Sequence, residues 1–373
     1  MRNVAICGSG VKNLMPDNRS LAALEIEGVG MTCGVIITRE PRFDPHAPEN
    51  RFNVLLKVKG FSCNFRDLNF IFAAARKGAE NSFFAVGSDF TGEVLEVGAG
   101  VTRLKVGDRV IPDNHYTGAG AGRVPEGVLT NQASKEYRVA HEDKLAKIPG
   151  EMPDDVAAAF SIGAQTVYSM LRKLDLKAGG KILVTAAKSN SSLFAISALR
   201  RRGVDVYATS TSPSFEQELK ASGVRELIQI DPQIVNFLVN ERVREIVSQV
   251  GMFDYVFDPF FDLHFPKVLD IIAPNGKYIT CGFHNQYQPP GAAEAARKPD
   301  LTQVLLPVLT KNLQVIGNCI GLTEDLNDAL RDYASGSFRV PIDSVFRGDD
   351  VGHFFDRTYN ARDRFGKVVY LYD

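Results

Sequence analysis

Between Ile182 and Ile196 the chain reads ILVTAAKSNSSLFAI: a short apolar run, a tight turn of small and polar residues, and the start of a helix. A turn of that kind at the end of a buried strand can hold a phosphate. The helix N-terminus offers unpaired N–H groups and a partial positive charge, which attract an anion whatever the side chains are. Lys188 adds a cation, and Ser189, Asn190, Ser191 and Ser192 add hydroxyl and amide donors. The glycines that usually close such a turn in dinucleotide-binding folds are missing. Counted back from Gly203, their three positions fall on Ala187, Ser189 and Ser192. All three are small, so the packing requirement is nearly met, although a positive φ is harder for Ala or Ser than for Gly. Ser and Asn are also ordinary helix caps, and capping alone is the competing reading of SNSS.

Two further stretches carry chemistry. The run VDVYAT leads into Ser210, Thr211 and Ser212. A carboxylate at that point would hold the ribose hydroxyls of NAD and repel a 2′-phosphate, whereas hydroxyls accommodate one, so the expected cofactor is NADPH. Arg200, Arg201 and Arg202 either assist it or form a solvated, dipole-matched helix end. The Gly-rich loop PDNHYTGAGAGRVPEG (112–127) holds His115 and Tyr116, either of which can donate a proton; ordinary loop residues are the alternative.

The elements around these residues set the fold class. KILVT, VDVYAT, ELIQI, DYVFDP, KYITCG and LQVIG are apolar runs with few internal charges, as in strands covered on both faces. Between them lie SLFAISALRRRG, SFEQELKASG, IVNFLVNERVREIVSQVG and FPKVLDIIAPNG, patterned as helices closing into Gly or Pro-Asn-Gly turns. That alternation predicts an α/β chain with a doubly wound parallel sheet. The segment Asn285–Asp300 reads as an exposed excursion. The first 150 residues are different: VLLKVKG, GEVLEVG and DRVIP are short strands broken by glycine turns, predicting a mainly β domain. After a helix near Thr323–Ser335 the tail returns to strands ending in GKVVYLY.

Composition excludes several classes. At 373 residues the chain is comfortable for two domains, with 45% hydrophobic and 23% charged residues. A formal net charge of -1 gives no global field for nucleic acid or an acidic membrane. No apolar run is long enough to span a bilayer, and the opening MRNVAICGSG is not a secretion signal. Five scattered cysteines suit a reducing cytoplasm without a disulfide framework.

NVLLKVKGFSCNFRDLNF (53–70) and VGSDFTGEVLEVGAGVTRLKVGDRV (86–110) closely resemble the medium-chain dehydrogenase/reductase superfamily. AAAFSIGAQTVYSML, KNLQVIGNCIG and RFGKVVYLYD sit where that superfamily has counterparts, so the resemblance runs over nearly the whole chain beyond about residue 50. It implies a GroES-like catalytic domain over 1–154 and 321–373 and a Rossmann domain over 155–320, with the nicotinamide in the cleft between them. Homodimers formed through the edge strand near Leu313–Gly317 are common in the family. Its zinc positions fall on Asn64, Ser88-Asp89 and Ile162, with no four-cysteine lobe, so no metal is expected.

What remains resembles the zinc-free branch, the quinone oxidoreductases and polyketide enoyl reductases, through the motif NFRDLN. The resemblance places Asn64 near the nicotinamide ribose and Thr166 beside the cofactor. It assigns Cys281-Gly282 and Gly317-Asn318 to the loops flanking the carboxamide. The Tyr that many relatives carry beyond the Asn motif is absent; Asn69, Phe70 and Ala75 stand there. His115, Tyr116 and Asp67 are the replacement candidates for proton donor, although Asp67 equally suits pairing with Arg66 or capping a helix. Lys188 is an alternative group for orienting a substrate carbonyl, and His284 lies near the cleft by inference. The leading expectation is NADPH-dependent reduction of a C=C bond conjugated to a carbonyl. The substrate would be a small molecule, a carrier-bound thioester or a dehydroamino acid of a peptide. C=O reduction, or a non-catalytic member with a lost cofactor site, are the other readings.

Overall fold

The computed structural model describes residues 1–8, 10–11, 21–77, 81–115, 132–285 and 300–373. Two compact units divide them: one takes Met1–Ile162 and Val340–Asp373, the other the described residues from Gly163 to Arg339. The expected boundaries were 154/155 and 320/321. The helix Thr323–Ala334 falls in the second unit because its residues bond there, Asp325 to Arg172 and Asp332 to Tyr168.

In the first unit a four-stranded antiparallel sheet joins β1 (Arg2–Cys7), β2 (Ala22–Ile26), β3 (Val29–Ile37) and β5 (Phe83–Ala85) in the order β2-β3-β1-β5. A seven-stranded sheet is built from β4 (Asn53–Ser62), β6 (Asp89–Val97), β7 (Arg109–Pro112), β8 (Tyr137–His141), β9 (Leu145–Lys147), β16 (Ile342–Phe346) and β17 (Lys367–Leu371). Its order is β16-β17-β4-β6-β7-β9, with β8 also on β4. The strands alternate as half-covered strands do: Leu56 and Val58 are buried while Lys57 and Lys59 are not. Phe61, Phe72, Phe90 and Phe354 fill the core beneath. The registers decide what meets at the sheet's end. Ser62 of β4 pairs with Asp89 of β6 and with Val369 of β17. Antiparallel pairing therefore carries Lys367 alongside Asn64, with Asp89 next door.

Among the described residues this unit also holds the helices α1 (Asp67–Lys77), α2 (Asp154–Ala157) and α10 (Val351–Tyr359). Helix α3 (Ser161–Leu174) starts in it and continues into the second unit.

The second unit is a doubly wound parallel sheet of six strands: β10 (Lys181–Val184), β11 (Asp205–Ser210), β12 (Val224–Gln229), β13 (Phe253–Asp258), β14 (Ile272–Thr280) and β15 (Gln314–Gly317). Their order is β12-β11-β10-β13-β14-β15, and all six expected runs form these strands. The covering helices are α4 (Asn190–Leu199), α5 (Glu216–Ala221), α6 (Glu241–Val250), α7 (Phe261–Val268), α8 (Leu301–Thr310) and α9 (Thr323–Ala334). Helices α3 and α4 pack closely: a Cβ on Gly163 would meet the Phe194 ring at 2.5 Å. Two helical stretches are shorter than their patterns. In IVNFLVNERVREIVSQVG the α-helix begins only at Glu241, because the Asn240 side chain accepts from Val243 N–H and caps it. A single 3₁₀ turn, Phe237–Val239, precedes it. In FPKVLDIIAPNG, Pro274-Asn275-Gly276 lies inside β14 as an irregularity, with Asn275 at φ 60° and the pairing shifted between Phe253 and Tyr255.

Among the described residues no helix is long and apolar enough to cross a membrane. All five cysteines are free thiols. The excursion after Asn285 lies outside the described residues.

Candidate active site

The converging ends of β4, β6 and β17 build one polar cluster in the first unit. Asn64 Nδ2 donates to Asp89 Oδ2 (2.7 Å) and Ser88 Oγ (3.0 Å), and Asn64 Oδ1 accepts from Lys367 Nζ (2.7 Å). Because an ammonium can only donate, that contact fixes which way the amide faces. Lys367 Nζ also reaches Asp89 Oδ2 (3.1 Å) and Cys63 O (3.3 Å). The other Asp89 oxygen accepts from Ser161 Oγ (2.8 Å) and Ile162 N–H (2.7 Å). Lys367 is 1% exposed and Asp89 0%, so this is a fully dry ion pair. The positions matched to zinc ligands do converge. What they supply is one carboxylate, an amide, a hydroxyl and a backbone N–H, with an ammonium already on the carboxylate. Zinc takes thiolate, imidazole and carboxylate, and these groups do not suit it.

Asp67 opens α1, and its Oδ2 accepts from Asn64 N–H (2.6 Å) and Ser88 Oγ–H (2.5 Å). It braces the Asn64 loop, while the Arg66 guanidinium lies over the Phe70 ring. Burial pushes the Asp67 carboxyl up to about 6; the two hydrogen bonds, Arg66 and Lys367 pull the other way. A carboxyl raised in the folded state binds its proton more tightly there than in the unfolded chain. Its contribution to stability is therefore present at low pH and lost as pH rises from about 4 to 6. Asp67→Asn keeps both acceptor contacts and cannot ionise. Urea unfolding at pH 4.5 and 7.5 should show the variant gaining on the parent by roughly 2 kcal/mol between the two. Equal differences at both pH values contradict this assignment.

His115 is mostly buried. Its Nε2 lies 3.4 Å from Lys144 Nζ, and its Nδ1 lies 3.6 Å from Asp113 Oδ1. A protonated lysine can only donate, so Nε2 is the accepting nitrogen and the ring proton sits on Nδ1, a buried atom with no hydrogen-bond partner. Burial holds the Lys144 ammonium below its ordinary range, opposed by Asp113 and Asp143. The preceding residue, Asn114, donates to Ser161 Oγ (3.3 Å), and Ser161 in turn donates to Asp89. His115 thus sits one residue from the Asn64 cluster's bonding network. Tyr116 lies outside the described residues.

In the second unit the glycine-free turn closes. Its left-handed residue is Ala186 (φ 46°), one place before the first expected glycine position. Ser189 caps α4: its Oγ accepts from Ser192 N–H (3.2 Å), and its hydroxyl donates to Ser192 Oγ. Ser192, wholly buried, donates to Thr185 O (2.7 Å), so a serine replaces the close-packing glycine by bonding to the strand behind it. These two hydroxyls are spent on the turn. Lys188, Asn190 and Ser191 are the residues left for an anion, with the first helical N–H groups, which have no acceptor within the helix. Lys188 Nζ holds Ser212 Oγ at 2.9 Å, and Asn190 Oδ1 is a buried atom with no hydrogen-bond partner. That oxygen is an acceptor and a diphosphate has no hydrogen to give it, so the fit to a diphosphate rests on the donors alone: Lys188 Nζ, the Ser191 hydroxyl and the first N–H groups of α4.

Ser210 Oγ accepts from Ser212 N–H, and Thr211 is exposed beside it. A cavity of about 280 Å³ opens here, lined by Lys188, Ser210, Thr211 and residues of α7. The three arginines do not line it: Arg201 bonds Ser337 and Arg202 lies over the Tyr168 ring. The strand ends of β14 and β15 meet through Thr280 and Gly317, with Asn318 N–H on Thr280 O (2.8 Å). Asn318 Oδ1 accepts from Ser169 of α3 (2.9 Å), and its Nδ2 lies 3.5 Å from Thr166 O, so Asn318 and Thr166 are neighbours. Cys281 reaches Ser191 at the α4 turn; burial pushes its thiol up to about 12. The next residue, Gly282, accepts from Phe261 N–H at the start of α7. Thr166, Asn318, Cys281, Gly282 and the α4 turn therefore lie around one end of this sheet, while His284 is exposed.

Sequence reasoning missed Lys367, Ser161 and a buried group on β13. Asp258, 0% exposed, accepts from Thr185 Oγ1 (2.6 Å), Phe260 N–H (2.9 Å) and Tyr278 OH (2.5 Å), and bonds His264 Nδ1 (2.8 Å). An Asp ending an apolar strand was the available signal.

Residues 50–150 match the model of the alcohol dehydrogenase GroES-like domain. A mycocerosic acid synthase-like polyketide synthase of Mycobacterium tuberculosis is 25% identical over 370 residues, 95% of this chain and 16% of that protein. A quinone oxidoreductase of Pseudomonas aeruginosa is 32% identical over 219 residues, 58% of this chain and 62% of the other. The chain therefore spans a minor part of the first relative and somewhat under two thirds of the second. Among solved structures, the 2-octenoyl-CoA carboxylase reductase CinF in complex with NADP and 2-octenoyl-CoA shares the fold. Its TM-score is 0.71 at 19% identity, over 99% of this chain and 87% of that one.

Proposed function

This chain belongs to the medium-chain dehydrogenase/reductase superfamily of oxidoreductases, and on that premise we propose that it is a zinc-independent, NADPH-dependent reductase of a C=C bond conjugated to a carbonyl. The observation that carries the reading is the donor set at the zinc positions, where Lys367 already neutralises Asp89. A carboxylate already paired with an ammonium is a poor seat for a Lewis acid, which supports an organic cofactor and proton donors as the source of the chemistry. The polyketide synthase and octenoyl-CoA reductase relatives support a thioester-type substrate, and the NADP named with the latter supports the cofactor.

When bound, the nicotinamide supplies a hydride to an electron-poor carbon. The chain's residues do the rest. Lys188, Asn190, Ser191 and the first N–H groups of α4 hold the diphosphate. Ser210 and Thr211 accept the adenosine side, and Thr166, Cys281, Gly282 and Asn318 bound the nicotinamide end. Asn64, locked by Lys367 and Asp89, is a fixed dipole near the ribose. His115 protonates the α-carbon from Nδ1 while Nε2 takes a proton from Lys144, so the ring stays neutral, and Tyr116 is the second candidate for that step. The exposed leucines of α8 (Leu301, Leu305, Leu306 and Leu309) and the edge strand β15 with its exposed Val315 support a homodimer.

The test compares an acyclic enone with its saturated ketone while following NADPH oxidation, before and after dialysis against a metal chelator. The enone should be reduced, the ketone ignored, and the rate unchanged by the chelator. Preference for the ketone, or loss of activity restored by Zn²⁺, contradicts the reading.

A further inference from the structure

The cavity beside Thr211 has a second wall that the sequence did not single out. Helix α7 lines it with His264 and Lys267, facing Lys188, Ser210 and Thr211. Lys188 and Lys267 each spend one hydrogen on a neighbour, Ser212 Oγ and Pro232 O, and each retains two. The acidic residue among the lining groups is Asp231, which accepts from Gln233 N–H. At about 280 Å³ the cavity is small enough for one bound group to reach both walls.

Resting on the proposed cofactor, we infer that His264 is a specificity-determining residue that contacts the phosphate monoester distinguishing NADPH from NADH, and that it does so only as the imidazolium. Nδ1 is committed to the buried Asp258 carboxylate, which Thr185, Phe260 N–H and Tyr278 hold in place. A neutral ring with its proton on Nδ1 offers Nε2 as an acceptor, which a phosphate does not want. Only a second proton makes Nε2 a donor. A ring that is neutral before binding therefore gains a proton as the phosphate arrives. The other charged or titratable groups around the ring are Asp258 on β13, Tyr278 on β14, Lys188 at the α4 turn, Asp231 after β12 and Lys267 on α7 itself. Burial keeps Tyr278 a phenol, so it donates to Asp258 and takes no part in the uptake.

Titration calorimetry at pH 8, repeated in buffers of different ionisation enthalpy, reads this directly. There the ligand's monoester is already dianionic, so uptake reports the protein. NADPH should bind with net proton uptake, and NADH should bind more weakly with none. His264→Gln keeps a donor for Asp258 and removes the titrating nitrogen. It should abolish the uptake and weaken NADPH roughly 10- to 100-fold, the loss of one charge-assisted hydrogen bond, with NADH unchanged. Equal weakening of both coenzymes, or uptake that persists in the variant, overturns the inference while leaving the cofactor reading intact. Capture of neither coenzyme by the parent protein overturns both.

Discussion

Lys367→Met should cost the fold about 3–5 kcal/mol, the penalty of leaving one member of a buried ion pair without its partner. The methionine fills the lysine's volume with apolar atoms and leaves the Asp89 carboxylate dry. Asn64 Nδ2, Ser161 Oγ and Ile162 N–H remain as donors, and none carries a charge. Against a total of about 5–15 kcal/mol for an ordinary domain, that loss takes a large share of the margin. Asp89→Asn in the same chain removes the stranded charge. The double variant should recover more than half of the loss, a coupling that urea unfolding of all four proteins would show. A Lys367→Met protein within about 1 kcal/mol of the parent would mean the cluster is wetter than its geometry says. Without Lys367 the Asn64 Oδ1 loses its partner while Nδ2 keeps Ser88 and Asp89, so the role proposed for Asn64 predicts weaker coenzyme binding in any Lys367 variant that still folds.

Ser191→Asp should have opposite effects on stability and on binding. A carboxylate in the first turn of α4 favours the helix dipole and adds about 0.3–1 kcal/mol to stability. In the proposed cofactor site the same charge faces the diphosphate. At roughly 4 Å and an effective dielectric near 20, the repulsion is about 4 kcal/mol per charge pair, enough to weaken NADPH by at least about a hundredfold after screening. Thermal unfolding and equilibrium binding on one preparation measure both signs. A variant that is stabilised and still binds NADPH normally would move the diphosphate away from this turn and make Ser189–Ser192 a cap and no more.

The sheet of the second unit was legible because six apolar runs and their intervening helices each satisfy local rules, and none needs a distant partner to be read. The turn was legible in part. Small residues at the fingerprint positions showed that it could close, but the left-handed residue fell on Ala186, which depends on how β10 hands over to α4. Helix α6 was read too long because apolar periodicity continues through Phe237 and Leu238, whereas two asparagine caps end it. The first-unit cluster was the least legible. Asn64 and Asp89 were flagged as positions, yet their organiser is Lys367, which joins Asn64 across 303 residues of sequence. A lysine heading an apolar strand looks like an exposed edge until the register of β17 on β4 is known. The arginines near Gly203 were left between two readings for the converse reason: the partners of Arg201 and Arg202, Ser337 and Tyr168, come from distant segments.

The measurement that bears most directly on all of this is equilibrium titration of the purified chain with NADPH and NADH, followed by nicotinamide fluorescence. Saturable binding of one NADPH per chain, tighter than NADH, is the expected result. A protein that captures neither coenzyme at millimolar concentration would show that the α4 turn is a helix cap on a fold that has given up its chemistry.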